Sequence, residues 1–195
     1  MEHYNEVYSK EGKKWDAKPG LWIGDHFPVS NSSLGYHGIM KQWWEYYTVQ
    51  PFPKVLLFEG KKAKEDFQKV YPYWIIETFE GDDELHPDIM GDICNSYFNP
   101  QYDLIICQAT FEHLYDPFGA FKNLVNALNP GGILMIHTHA PEMAYHQVPR
   151  DYFRFMKDWW YDLPKYFPVE LMELMMVNNK HVFACYRRNH AMSQV

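Results

Sequence analysis

Histidines near the end of one apolar segment are the first side chains in the sequence that could do chemistry. His137 and His139 are separated by one residue, so a strand would place both imidazoles on the same face. His113 and His146 flank this segment along the chain. Imidazoles at a strand end can line a substrate pocket and accept a proton. Two or three of them with a carboxylate such as Glu142 can instead bind zinc or iron(II), although the spacing is not a strong metal-binding motif.

Basic and aromatic residues that follow these histidines could bind a substrate. The aromatic-rich segment Asp151–Tyr161 is predicted to be a helix, which would place Arg150 and Arg154, four residues apart, on one face. That spacing could hold a carboxylate or a phosphate, or pair with a neighbouring aspartate. We assign Arg150, Tyr152 and His146 to the substrate site, and we give Arg154 a structural role.

Short apolar runs alternate with amphipathic segments from residue 54 onward. Four runs have the composition of buried parallel strands, namely Lys54–Phe58, Trp74–Glu77, Asp103–Cys107 and Ile133–His137. Helices are predicted after the first and third runs, and the second of these helices has Asp116 as its N-cap. Val169–Val177 and Val182–Arg187 are predicted to pair as a hairpin. The pattern predicts an α/β fold with a mostly parallel sheet and an antiparallel hairpin at its C-terminal edge.

Polar residues follow several of these predicted strands. In an open parallel sheet, ligands bind outside the carboxyl ends of the strands, so the residues after Phe58, Glu77 and Cys107 should surround one crevice. After the third strand, we expect four residues to face it, namely Gln108, Ala109, Thr110 and Glu112.

Three segments, taken together, resemble a known family. They are Tyr102–Cys107 (YDLIIC), Phe111–Pro117 (FEHLYDP) and Leu128–Leu134 (LNPGGIL). This combination is similar to the core block of class I S-adenosylmethionine-dependent methyltransferases, and the resemblance covers Lys54 to Ile136, about half of the chain. It implies a Rossmann-like sheet with S-adenosylmethionine as the cofactor.

The resemblance also implies which residues contact that cofactor. Glu80 best matches the acidic residue that closes the second strand and holds the ribose hydroxyls, and Asp92 matches the position that faces the adenine. The full set of implied contacts is Glu59, Gly60, Glu80, Asp92, Ile93, Gln108 and Ala109.

The loop after the first strand departs from the family. Relatives have an acidic residue and alternating glycines there, which let the backbone approach the methionine part of the cofactor. In this chain Glu59–Lys64 (EGKKAK) has one glycine and three lysines. The N-terminus of the following helix still attracts an anion, and Lys61 or Lys62 could assist it. The sequence leaves open whether the cofactor binds in a modified way or not at all.

The resemblance favours methyl transfer to a small molecule, such as a sugar or a surface-glycan precursor, because the segment at 149–155 (PRDYFRF) is similar to one in methyltransferases of such pathways. His139 is the candidate base, with His137 or His113 behind it. A degenerate binding protein without catalysis is the first alternative, since it explains the missing glycines. A histidine-metal enzyme is the second, and the primary interpretation includes no metal.

Composition limits the remaining classes. The chain has 195 residues, 47% hydrophobic, which predicts a single domain with residues 1–50 as a cap segment and 51–195 as the core. A net charge of −7 argues against nucleic acid as a partner. Three cysteines without a paired spacing indicate reduced thiols and a cytoplasmic protein. No apolar run is long enough for a membrane span, and the oligomeric state is left open.

Overall fold

A computed structural model describes residues 7–9, 38–48, 50–147 and 150–190. Most of the predicted cap segment, residues 1–50, lies outside these described residues. The part that is described consists chiefly of one short strand and one helix.

The described chain alternates strands and helices. The strands are β1 (Val7–Ser9), β2 (Lys54–Leu57), β3 (Ile75–Glu80), β4 (Ile89–Met90), β5 (Tyr102–Gln108), β6 (Leu128–His139), β7 (Val169–Val177) and β8 (His181–Arg188). The α-helices are α1 (Gly38–Tyr47), α2 (Lys61–Val70), α3 (Pro117–Ala127) and α4 (Lys157–Asp162). Short 3-10 turns occur at Asp83–Leu85, Phe111–His113 and Leu163–Lys165.

The strands form one sheet in the order β1-β7-β8-β6-β5-β2-β3-β4. The five strands β2 to β6 all run parallel to one another. Parallel strands require a connection that crosses back over the sheet between each strand and the next. The β7–β8 hairpin is antiparallel, and β8 lies between β7 and β6. The predicted α/β fold with a parallel core and a C-terminal hairpin is confirmed, and β1 adds one further strand outside β7.

Apolar side chains cover both faces of the sheet. On one face, Trp43 and Trp44 of α1 and Phe67 of α2 pack in one cluster with the odd-numbered apolar residues of β6. On the other face, α3 and α4 contribute buried residues such as Phe121 and Trp160. The described helix of the predicted cap segment therefore packs on a sheet face. Two layers of helices hold the strand ends in fixed positions, which the site requires.

Several predicted boundaries differ from the structure. β3 continues to Glu80, and β6 begins at Leu128, five residues before the predicted start at Ile133. The Asp103–Cys107 strand is longer by one residue at each end.

The predicted helix over Asp151–Tyr161 is wrong in its first half, since α4 begins only at Lys157. The backbone N–H groups of Tyr152 and Phe153 both donate to the carbonyl oxygen of Glu112, at 2.7 and 3.2 Å. These long-range bonds hold the segment extended in place of helical bonds. Arg150 and Arg154 therefore do not share a helix face.

Candidate functional site

Two carboxylates lie at the carboxyl ends of neighbouring parallel strands. Glu59 follows β2 by two residues, and Glu80 is the last residue of β3. Gln108, the last residue of β5, donates a hydrogen bond from its side-chain amide to Glu59 Oε1. Because the ends of β2, β3 and β5 meet at one edge of the sheet, these three side chains form the polar wall of the predicted crevice.

The environment of these carboxylates raises their affinity for protons. Burial raises the pKa of Glu59 to about 7 against the effect of the Gln108 bond, and the charge of Glu80 adds to the rise. Burial also raises the pKa of Glu80, while the backbone N–H of Gly81 donates to its Oε2 at 3.2 Å. Such half-buried carboxyl groups can accept hydrogen bonds from hydroxyl groups of a ligand.

The single glycine of the loop after β2 serves packing within the protein. A Cβ atom on Gly60 would lie 2.5 Å from the carbonyl oxygen of Leu85, so the loop before β4 sits directly against it. A groove of about 500 Å³ is lined by Glu59, Gly60 and the first residues of α2, and by Glu84–His86.

The lysines of this loop differ in their surroundings. Lys62 pairs with Asp66 at 3.2 Å, and Lys64 pairs with Asp88 at 2.8 Å. Lys61, the first residue of α2, is exposed beside the groove. Of the two lysines predicted to assist anion binding, Lys61 is thus the better placed, since Lys62 already neutralises an acidic partner.

Asp92 and Ile93, two of the predicted cofactor contacts, have different surroundings. Asp92 accepts hydrogen bonds from the backbone of Cys94 at 2.9 Å, from Asn95 at 2.8 Å and from Tyr115 at 2.9 Å. Burial opposes but does not outweigh these bonds, which hold the pKa of Asp92 below its usual value. The side chain of Ile93 is buried in the core, 3% exposed. Asp92 therefore orders its own turn at the crevice, whereas Ile93 could offer only backbone groups.

Ala109 has a strained backbone at the mouth of the crevice. Its φ of 45° is in the left-handed region, which alanine seldom adopts. Its N–H donates to the carbonyl oxygen of His137 at 2.8 Å, and the Thr110 hydroxyl donates to the carbonyl oxygen of Gln108 at 2.8 Å. These bonds fix the turn after β5, and strain of this kind is common at functional sites.

A buried carboxylate and two histidines form the centre of the site. Glu112 is fully buried, and its Oε1 lies 3.0 Å from His139 Nδ1 and 3.7 Å from His146 Nε2. The two imidazoles approach each other to 2.8 Å between the same nitrogens. Glu112 Oε2 accepts a hydrogen bond from Thr138 at 2.6 Å. The 3-10 turn after β5 and the end of β6 thus bring together groups that are far apart in sequence.

Burial determines the protonation of this centre. Burial, with smaller effects from the nearby His146, His181 and Arg154, lowers the pKa of His139 to about 3. The His139 imidazole is therefore neutral at physiological pH. Burial also raises the pKa of Glu112, in opposition to the hydrogen bond from Thr138.

An arginine–aspartate pair positions His146. Both terminal nitrogens of Arg154 bond to the carboxylate of Asp151, and its Nε donates to the carbonyl oxygen of Met143 at 3.0 Å. The same carboxylate accepts the backbone N–H of His146 at 2.8 Å. Arg154 therefore organises the loop that carries His146, in line with its predicted structural role.

The other predicted residues lie at different distances from this centre. His113 is adjacent, with Nε2 3.9 Å from Glu112 Oε1. His137 instead bonds to His181 at 3.0 Å between ring nitrogens and stacks on Phe183. Glu142, suggested as the carboxylate of a metal site, accepts a bond from Asn179 at 3.0 Å. Of the carboxylates considered, the one beside these histidines is Glu112.

The predicted substrate residues Arg150 and Tyr152 are both exposed next to the centre. The Tyr152 N–H donates to the Glu112 carbonyl, and the Arg150 guanidinium lies 3.5 Å from the Tyr152 hydroxyl. A shallow depression of about 280 Å³, lined in part by Tyr152 and Asp151, opens beside them.

The comparison with protein families identifies the family of this chain. A model of the methyltransferase domain matches residues 36–188. The chain belongs to the methyltransferase domain family. The match confirms the resemblance to class I enzymes, and S-adenosylmethionine is the cofactor of that family. Counted from β2, the strand order is 3-2-1-4-5-7-6, which is typical of class I methyltransferases.

Solved structures share this methyltransferase fold at low sequence identity. The 4+2 cyclase SpnF gives a TM-score of 0.63 at 10% identity, over 81% of this chain and 82% of its own. The N-methyltransferase NodS from Bradyrhizobium japonicum, solved with S-adenosylhomocysteine, gives 0.56 at 15% identity, over 86% and 94%. The 1,6-didemethyltoxoflavin N1-methyltransferase from Burkholderia thailandensis gives 0.56 at 9% identity, over 70% and 71%.

No curated protein sequence matches the chain significantly. Among the described residues, no helix has the length and apolar character needed to cross a membrane.

Sequence reasoning missed the position of Glu112 at the centre of this cluster. It placed Glu112 at the crevice but did not pair it with His139 and His146. The signal available was the position of Glu112 just after a buried strand, together with histidines at the end of the next parallel strand. Asp151 gave no such signal, because its contact with the His146 backbone depends on a loop conformation.

Proposed function

We propose that this methyltransferase-domain protein binds S-adenosylmethionine in the crevice at the carboxyl ends of β2, β3 and β5 and transfers its methyl group to a small molecule. The carboxylate pair of Glu59 and Glu80 carries this proposal. Glu80 ends the second strand of the parallel core and can accept both ribose hydroxyls. Gln108 and Ala109 would complete the wall, with Asp92 and the backbone of Ile93 at the adenine end.

The residues fit the two ends of the cofactor differently. At the ribose end, the carboxylates of Glu59 and Glu80 would accept hydrogen bonds from the hydroxyl groups. At the methionine end, Gly60 packs against Leu85, and Lys61 at the start of α2 offers a positive charge to the carboxylate. The methionine end would therefore be held by a helix N-terminus and a lysine in place of a glycine-rich loop.

We assign the methyl acceptor to the histidine centre, which lies at the carboxyl ends of β5 and β6. When bound, S-adenosylmethionine supplies a methyl group on a sulfonium, which leaves by in-line displacement. The protein must align the acceptor and take its proton. His139 is the candidate base: it is neutral and has Glu112 3.0 Å from Nδ1, which would stabilise the imidazolium formed. His113 and His146 would support it, and Arg150 and Tyr152 would contact a polar acceptor.

A sugar or a surface-glycan precursor suits this acceptor site. The exposed groups beside the histidine centre are a guanidinium, a phenol and a half-buried imidazole, which bind hydroxyl and phosphate groups well. His137 contacts His181 and Phe183. It would therefore affect the acceptor site only by positioning the end of β6.

Calorimetric titration with S-adenosylhomocysteine tests cofactor binding. We expect the Glu80→Gln variant to lose about 10- to 100-fold in affinity, because hydrogen bonds that involve a charged group contribute about 1.5–3 kcal/mol. Asp83→Asn is the matched control, since Asp83 is an exposed acid in the same tract and should leave affinity unchanged.

Two results would contradict the proposal. If folded wild-type protein, checked by circular dichroism, gives no heat at millimolar S-adenosylhomocysteine, the non-catalytic binding protein becomes the better explanation. If both variants bind like wild type, the cofactor does not use Glu80.

A further inference from the structure

The central carboxylate and imidazoles have the spacing of metal ligands. Glu112 Oε1, His139 Nδ1 and His146 Nε2 form a triangle with sides of 3.0, 2.8 and 3.7 Å. Nitrogen and oxygen ligands bound at about 2.1 Å in tetrahedral or octahedral geometry lie about 3.0–3.4 Å apart. One ion could therefore contact all three atoms with small side-chain adjustments.

Hydrogen bonding within the described residues leaves this triangle with one unsatisfied buried oxygen. Among the described residues, Glu112 Oε1 is buried and accepts no well-aligned hydrogen bond, although His139 Nδ1 is 3.0 Å away. The pair of imidazoles can place only one proton between His139 Nδ1 and His146 Nε2. A buried carboxylate oxygen that lacks a donor is costly, and a cation would satisfy it together with the imidazole lone pairs.

The surrounding groups already orient the ligands. His113 Nδ1 contacts the carbonyl oxygen of Arg150, so this nitrogen is the donor and Nε2 carries a lone pair. The ligand atoms of Glu112, His113 and His146 all lie within 4.8 Å of one another. Thr138 holds the second oxygen of Glu112 at 2.6 Å. Such outer hydrogen bonds to carbonyl and hydroxyl groups are usual around metal-bound histidine and carboxylate.

We propose that Glu112, His139 and His146, with His113 as an additional ligand, bind one divalent transition-metal ion, Zn²⁺ or Fe²⁺. The combination of imidazole and carboxylate selects these ions over Mg²⁺ or Ca²⁺, which prefer oxygen ligands. The side chain of His146 is 35% exposed, which gives the ion a route of entry.

The bound ion would give this centre a different chemistry. A hydroxyl group at an open position of the ion would have a lowered pKa, so the acceptor could release its proton to solvent water without a strong base. His139, which is a ligand in this state, need not accept that proton. This acceptor role rests on the proposed function, whereas the metal site itself does not.

Metal binding by the whole chain, purified without an affinity tag and stripped with chelator, tests the proposal. We expect calorimetry with Zn²⁺ to show one saturable site at neutral pH, and His146→Asn to weaken it by about 100-fold or more. His146 is in a partly exposed loop, so this variant should fold. His86→Asn is the control: His86 is exposed, outside the cluster, and has a φ of 49° that asparagine adopts readily.

Cobalt provides a second readout that does not depend on activity. Co²⁺ in the stripped protein should give visible absorption bands of a site with nitrogen and oxygen ligands, and Glu112→Gln should change or abolish them. The proposal is overturned if wild-type protein takes up no Zn²⁺, or if His146→Asn and His86→Asn bind it equally. In that case Glu112 and His139 share a proton instead.

The two proposals fail separately. If the protein binds S-adenosylhomocysteine but not Zn²⁺, only the proposed metal site is ruled out. Zn²⁺ binding without S-adenosylhomocysteine binding removes only the methyl-transfer assignment.

Discussion

Glu112 organises the candidate site through both its side chain and its backbone. Its carboxylate contacts Thr138 and the two histidines, while its carbonyl oxygen holds the extended segment at Tyr152. The positions of Glu80 and Gln108 near the crevice could be predicted from sequence, because both lie within three residues of the predicted strand ends at Glu77 and Cys107. The sequence indicates that Glu112 and His139 lie at the ends of neighbouring strands, but not that their side chains meet, since this depends on how the crossover through α3 returns the chain to the sheet.

Glu59 should make stability depend on pH. Its pKa rises from the ordinary value of 4.5 to about 7 on folding, so the folded state holds the proton more tightly. This contribution is fully present below pH 4.5 and is lost as the pH rises through 7. We therefore expect Glu59→Gln, which keeps the oxygen that accepts from Gln108, to be about 1–3 kcal/mol more stable than wild type at pH 8.

Urea unfolding of both proteins at pH 5 and pH 8 measures this difference. The two proteins should differ little at pH 5, where wild-type Glu59 is largely protonated in the folded state. An equal gap at both pH values would show that packing, and not ionisation, distinguishes them.

At the scale of elements, regular patterns were predictable and long-range contacts were not. The four core strands and α3, with its Asp116 cap that accepts from Gly119 at 2.9 Å, follow from local sequence. The helix predicted from Asp151 fails because tertiary hydrogen bonds to Glu112 and His139 override local propensity. Such bonds leave no periodic signal in the segment itself.

The contact between Gly60 and the turn that contains Leu85 predicts a specific packing defect. Gly60→Ala should lower the free energy of unfolding by about 1–3 kcal/mol, because the new methyl group would overlap the Leu85 carbonyl. Gly81→Ala is the control: its nearest neighbour, the Gly91 carbonyl oxygen, would be at an ordinary 3.5 Å.

Chemical denaturation of both glycine variants gives the comparison. Gly81→Ala should remain within about 0.5 kcal/mol of wild type. If Gly60→Ala lowered the free energy of unfolding equally little, the turn that contains Leu85 would not be packed against Gly60 as described.

On the scale of the whole molecule, the order of the parallel strands was predictable from the family resemblance and the alternating pattern. The attachment of the N-terminal part was not. The helical spacing of the apolar residues Ile39, Met40, Trp43, Trp44 and Tyr47 predicts a packed helix, but periodicity does not say which surface such a helix covers. The structure places it on one sheet face, where Trp44 donates to the Tyr71 hydroxyl at 2.9 Å.

One hydrogen bond joins the beginning and the end of the described core. The Tyr47 hydroxyl donates to Glu173 Oε1 at 2.5 Å across 126 residues of sequence, and Glu173 is 2% exposed. Tyr47→Phe removes a donor from a buried carboxylate, so we expect a loss of about 1–3 kcal/mol in thermal or urea unfolding.

Tyr46→Phe provides the matched comparison, since Tyr46 is adjacent but 59% exposed. It should unfold like the wild type. Equal losses in the two variants would mean that α1 is not anchored through Glu173.

The two edge strands of the sheet influence how readily the protein associates with itself in a crowded solution. Among the described residues, the outermost strands of the sheet are also its shortest, with three residues in β1 and two in β4. A long open strand offers unpaired backbone groups on which another chain can add and begin aggregation. Here the nine-residue β7 is covered on its outer side over Glu173–Met175, the only stretch that β1 pairs with among the described residues. Loss of β1 pairing should therefore favour self-association by strand addition before it affects the crevice on the opposite half of the sheet.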